Sequence, residues 1–197
     1  MNRNICSGLI LTLFLLSSSC AHSHRQSQFT HIGELNEALF GAVFEGKSET
    51  IRELISKGAE INAQRENGYT PLMDAILIED ERTARELIEM GADVNMSNLF
   101  GRTALRYAVH YRLYETVRIL IEKEVEINSQ DGEGVTPLME AVLHDDEKII
   151  RLLVEKGADV AIQNRQNQTA LYYANQIKNA EIIELLEQAS SGRILLK

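Results

Sequence analysis

Side-chain chemistry in this 197-residue chain could begin at two cysteines, Cys6 and Cys20, at His22 and His24, and at two runs, Asp131-Gly132-Glu133-Gly134 and His144-Asp145-Asp146-Glu147. Thiols can pair, hold soft metals or be acylated, and imidazoles beside carboxylates can hold a transition metal or move protons. The first run would suit calcium only with oxygen ligands on alternate residues and a closing carboxylate. It has neither, and it stays in phase with the other polar turns of the chain, so it reads as turn chemistry. The second run falls in a link between two helical stretches with no second motif converging on it, and reads as a solvated link. His22 and His24 would bind a transition metal only weakly. No Gly-x-Gly-x-x-Gly, Walker loop, Cys-x-x-Cys, His-Glu-x-x-His or Ser-His-Asp grouping is present. The expectation is a protein that is not an enzyme, with no cofactor and no metal.

Composition narrows the class further. Hydrophobic residues make up 44% and charged residues 25%, with two prolines and no tryptophan, as in a folded body rather than a collagen-like or disordered chain. Twenty Lys and Arg against 29 Asp and Glu give a net charge of −9. That field repels phosphate backbones and anionic lipid surfaces, so nucleic acid is not an expected partner, whereas basic proteins are attracted.

The first 20 residues stand apart. Arg3 precedes the apolar run Leu9 to Leu16, which is followed by Ser17-Ser18-Ser19-Cys20. Eight helical residues rise only about 12 Å against a hydrocarbon core of about 30 Å. A basic start, a short apolar stretch and small residues are the parts of a secretory signal. Residues 21–33 are polar with little periodicity and read as a flexible tether. From Ala21 onward there is no thiol for a disulfide or a Cys-based metal site. A lone cysteine directly behind the small residues of a signal resembles the acylation site of bacterial lipoproteins. The resemblance implies cleavage before Cys20, a lipid on its thiol and a place in the bacterial cell envelope. Ala21 rather than Asp after the cysteine implies, by likeness to enterobacterial lipoproteins, the outer membrane with the body facing the periplasm. Ser17 departs from the leucine usual in that pattern, and the alternatives are ordinary cleavage after Ala21 with simple secretion, and an uncleaved anchor.

The elements that must position any site come from a repeat. Thr70-Pro71-Leu72-Met73, Thr103-Ala104-Leu105-Arg106, Thr136-Pro137-Leu138-Met139 and Thr169-Ala170-Leu171-Tyr172 recur every 33 residues, and one period earlier stands Glu37-Ala38-Leu39-Phe40. Three columns are uniform across five units: Leu39/72/105/138/171, Ala42/75/108/141/174 and Leu54/87/120/153/186. With Ile51, Ala84, Val117, Ile150 and Ile183 beside the last of them, each unit carries two short amphipathic helices. The threonines can cap the first helix, the prolines suit its first turn, and Gly58, Gly91 and Gly157 end the second. Such a unit cannot bury its apolar face alone, and stacking its copies makes one core.

Thr-Pro-Leu-x-x-Ala, a second helix, Gly-Ala-Asp-Val-Asn and recurrence at 33 residues together resemble the ankyrin repeat over about residues 34–189. The resemblance implies an all-α solenoid of five stacked helix-turn-helix units with short hairpin-like turns, at about 34–66, 67–99, 100–132, 133–165 and 166–189. A tail, 190–197, ends in Ile194-Leu195-Leu196 and is expected to fold over the last helix pair. The family's usual His after Leu is replaced by Phe40, Met73, Arg106, Met139 and Tyr172, which removes its bond to the Thr hydroxyl. Glu124 stands where the other units have the helix-ending Gly.

The resemblance also implies function: protein binding, without catalysis, in a groove lined by the turn tips and the outward face of the first helices. At those positions stand Tyr69, Leu99, Phe100, Tyr107, His110, Tyr111 and Tyr173, with Asp74 and Glu140 on or near the same face. The expected partner is a protein with basic groups around an apolar centre, bound by a monomer. Large, rigid aromatics suit that task, although Tyr107 and Tyr111, four apart, also suit packing on each other. Two roles fit an envelope protein, plugging a toxin as an immunity protein or stabilising an enzyme as a scaffold. A secreted chain would instead act on host proteins as an effector.

Overall fold

Threonine starts the first helix of four units. The hydroxyls of Thr70, Thr103, Thr136 and Thr169 accept the backbone N–H three residues on, at the heads of α3 (Pro71–Leu77), α5 (Ala104–His110), α7 (Pro137–Leu143) and α9 (Ala170–Ile177). Each bond occupies a donor that a helix start leaves open. The second helices are α2 (Ser48–Ser56), α4 (Glu81–Glu89), α6 (Tyr114–Glu122), α8 (Glu147–Glu155) and α10 (Ala180–Ser190), of which Asp80, Asp146 and Asn179 cap α4, α8 and α10. The computed structural model describes residues 31–191, and α1 occupies 31–44. Residues 31–33, expected in the tether, are therefore helical. The signal, Cys20, the rest of the tether and Ile194-Leu195-Leu196 lie outside the described residues.

Between the two helices of every unit one residue takes a left-handed backbone: Gly46, Glu79, Arg112, Asp145 and Lys178, with φ from 53° to 63°. The helix pairs then stack into an all-α solenoid. The first helices α3, α5, α7 and α9 lie side by side, and α4, α6, α8 and α10 form a second layer behind them. The Leu and Ala columns fill the space between, and Leu54 and Leu171, in the end units with one neighbour each, are only half-buried. Among the described residues there is no strand, only one isolated bridge, Ser97 to Thr103, in a hairpin-like turn.

Side-chain and backbone bonds pin each unit to the next. The carbonyl oxygens of Asn62, Asn95 and Asn128 accept from the backbone N–H of Asp93, Glu126 and Asp159 at 2.7–2.9 Å. Ala161 ends that series. At the hairpin tips the N–H of Leu99 donates to Asn67, that of Gly132 to Phe100 and that of Arg165 to Glu133, at 2.8–3.2 Å. Gly68 permits this approach, because a Cβ there would stand 2.8 Å from the Leu99 nitrogen while φ is +80°.

The third unit ends its second helix on Glu124, at φ 57°, where Gly58, Gly91 and Gly157 take 90–104°. The bond that closes this helix end, Val125 N–H to Leu120 O, is stretched to 3.4 Å, against 2.9–3.0 Å in the other three units. Left-handed backbone costs an L-residue about 1–2 kcal/mol, part of which glycine returns through its larger unfolded-state entropy. Glu124→Gly is expected to be neutral to stabilising by up to about 1 kcal/mol. A lower urea midpoint for the variant would contradict this.

Candidate functional site

The candidate site lies where the first helices meet the hairpin turns, and one spacing organises it. Four times a turn residue at the end of one unit is linked to the first-helix residue nine positions later, in the next unit. Arg65 Nη2 lies 3.1 Å from Asp74 Oδ2. Asn98 Nδ2 donates to the Tyr107 hydroxyl at 2.9 Å, and Asn164 Nδ2 to the Tyr173 hydroxyl at 2.7 Å. Asp131 and Glu140 are joined through Arg106, which lies 3.5 Å from the first and 2.7 Å from the second. The turn residue in turn holds its own loop. Asn98 Oδ1 accepts from Phe100 and Arg102, and Asp131 Oδ1 from Glu133 and Val135. Asp131 therefore closes a turn, as expected, with its other oxygen facing Arg102 and Arg106.

Asp74, Tyr107, Glu140 and Tyr173 thus share one repeat position and brace the hairpins from below. Their polar groups are thus engaged within the protein, although Tyr107 and Glu140 also line the cleft described below. Tyr107 is only 6% exposed, with its hydroxyl 2.6 Å from that of Tyr69 and the two rings 5.6 Å apart. Burial, with help from the bond to Tyr107, pushes the Tyr69 phenol up to about 12. Tyr111 does not pair with Tyr107; it meets His110 edge-on at 5.0 Å. Nor do Asp74 and Glu140 present unpaired charge to a basic partner, because Arg65 and Arg106 already neutralise them. For Asp74 burial wins and holds its pKa above the ordinary value, with Arg65 opposing. Glu140 behaves oppositely: burial would raise its pKa, but the charge and hydrogen bond of Arg106, with hydrogen bonds from His110 and His144, hold it below.

Two of the large apolar side chains left in water cluster at one hairpin tip, beside exposed Arg65, Arg102 and His110. Leu99 is 75% and Phe100 59% exposed at the tip of the central hairpin. Beside them Tyr69, Tyr107 and Tyr111 line a cleft of about 270 Å³ with Leu77, Arg102, Arg106, His110 and Glu140. Sequence reasoning missed Phe44, Ile78 and Leu143, all exposed at the far ends of first helices, and Tyr172 on α9. Phe44 and Leu143 share a repeat position with Leu77 and His110, so their signal was a column of large residues outside the uniform Leu and Ala columns. It also missed that His144 meets His110 of the preceding unit, with their ring nitrogens 3.2 Å apart over Glu140.

Comparison with known proteins agrees with this architecture. No curated protein matches the chain. A family model of ankyrin repeats in three copies matches residues 39–131 and again 124–193. Those spans take in the threonine caps, the asparagine links and the stacked hairpins, and the chain belongs to the ankyrin-repeat family.

Proposed function

We propose that the protein is a non-catalytic binding module, held at the bacterial envelope by acylated Cys20, which takes a protein partner on the face formed by its first helices and hairpin tips. Ankyrin repeats are protein-interaction modules, and the observation that supports this site is the Leu99-Phe100 tip. Two large apolar side chains stand in water on a loop fixed by Asn98 and by backbone bonds to both neighbouring hairpins. A rigid loop loses little entropy on docking, and exposed apolar groups of this size gain most from entering a pocket. The partner should therefore offer an apolar pocket for Phe100 rather than a basic rim for Asp74 and Glu140. The envelope tether rests on the signal-like first 20 residues and the position of Cys20.

The test is made in native cells. A photo-crosslinking residue at position 100 should give one discrete protein adduct, and the same residue at Arg151, on the second-helix layer, should give none. Cys20→Ser should move the protein from the membrane to the soluble fraction. Equal adducts from both positions would overturn the binding face, and a soluble wild-type chain would overturn the tether.

A further inference from the structure

The geometry points to a transition-metal site of the zinc type formed by His110, Glu140 and His144 at the end of the cleft. Glu140 lies in the middle of α7, His144 follows one turn later at its C-terminal cap, and His110 reaches them from the end of α5 in the preceding unit. Three donor atoms form a closed triangle. His110 Nδ1 lies 2.6 Å from Glu140 Oε1, and His144 Nε2 lies 3.2 Å from each of them. Zinc bonds of about 2.0–2.1 Å at tetrahedral angles place ligand atoms about 3.3 Å apart. Two edges already have that length, and the third is a hydrogen bond that opens by under an ångström when the cation replaces its proton.

The surroundings hold this set in place. The His110 ring is fixed edge-on between Tyr111, at 5.0 Å, and His144, at 4.9 Å. Glu140 is buried, and Arg106 bonds the same Oε1 that the histidines approach. A cation on Oε1 competes with that guanidinium, but the carboxylate has a second oxygen to offer Arg106, and a metal-bound carboxylate commonly keeps such an outer partner. Asp131, 3.5 Å from Arg106, balances the arginine's charge. Two imidazoles with one carboxylate suit zinc and its first-row neighbours, whereas calcium and magnesium prefer oxygen-only sets. His110 is half-exposed, which leaves a fourth position open to water.

Its test is calorimetric titration of the metal-free full chain with zinc chloride in a non-chelating buffer, alongside cobalt(II) absorption. One ion per chain is expected, with the strong visible bands of four-coordinate cobalt and no saturable binding of calcium. Loss of one outer partner weakens metal sites about 10–100-fold, so His110→Ala and His144→Ala, each losing a ligand, should weaken zinc by at least about tenfold. Circular dichroism checks the fold, and His110→Asn and His144→Asn replace any alanine variant that fails it. His22, His24 and His31 remain in every variant, so unchanged affinity in the variants would place the ion elsewhere and overturn the site, as would a wild-type chain with no saturable zinc binding.

Discussion

Replacing Arg106 by alanine is expected to destabilise the protein by about 3–5 kcal/mol, the scale on which removing one partner strands a buried opposite charge. Its side chain is 11% exposed and stands between the carboxylates of Asp131, 4% exposed, and Glu140, 8% exposed. Arg102 is the other cation near Asp131, but at 3.7 Å and nearly half exposed it is screened by water. Removing Arg106 therefore leaves two buried carboxylates on adjacent units without their shared cation, Glu140 with only the hydrogen bonds of His110 and His144 and Asp131 with only its turn N–H donors and the screened Arg102. Their mutual repulsion adds to the loss.

The pH dependence of that deficit has a definite sign. In the wild type the partners of Glu140 hold its folded pKa below the ordinary 4.5. The stabilisation is thus present above the unfolded value and lost as pH falls through the folded one. In the variant burial acts with less opposition, so protonation of Glu140 relieves rather than costs. The gap between wild type and Arg106→Ala should narrow as pH drops from 7 to about 4. Urea midpoints at the two pH values measure it. A deficit below about 1 kcal/mol at pH 7 would mean that the network contributes little beyond a surface pair.

Nearly all of the scaffold was legible in the sequence, because stacking repeats write their packing at a fixed period. The Leu and Ala columns, the threonine caps and the glycine ends are each set by contacts inside one unit or with its neighbour. The left-handed links at Glu79, Arg112, Asp145 and Lys178 were not legible, since geometry imposes that backbone on residues that do not advertise it. The site was read less well for a different reason. Tyr107 and Glu140 have the types of interface residues, but the direction of Tyr107 is decided by Asn98, nine residues upstream, and that of Glu140 by Arg106 of the preceding unit. Asp74, Tyr107, Glu140 and Tyr173 stand 33 apart, and that regularity was the available sign of a shared structural task. Arg106 replaces the family's histidine, and only the fold reveals that it joins two carboxylates of different units. His110 and His144 are 34 residues apart, so no local motif brings them together.

The measurement that bears most directly on the binding face is the affinity of the partner crosslinked at position 100 for the wild type and for Leu99→Ala/Phe100→Ala. These side chains contribute exposed apolar surface and are not part of the buried core. The bonds that fix the tip, Leu99 N–H to Asn67 and Gly132 N–H to Phe100, are backbone bonds and survive the change. Helix content and urea midpoint should therefore match the wild type. Binding should weaken by at least about 2 kcal/mol, roughly 30-fold, the scale of an interface hot spot. Arg85→Ala/Glu89→Ala, on the second-helix layer, should leave it unchanged. Calorimetric titration of the three proteins against the purified partner decides the matter: a selective loss in the tip variant is the predicted result, and wild-type affinity in that folded variant would contradict the account.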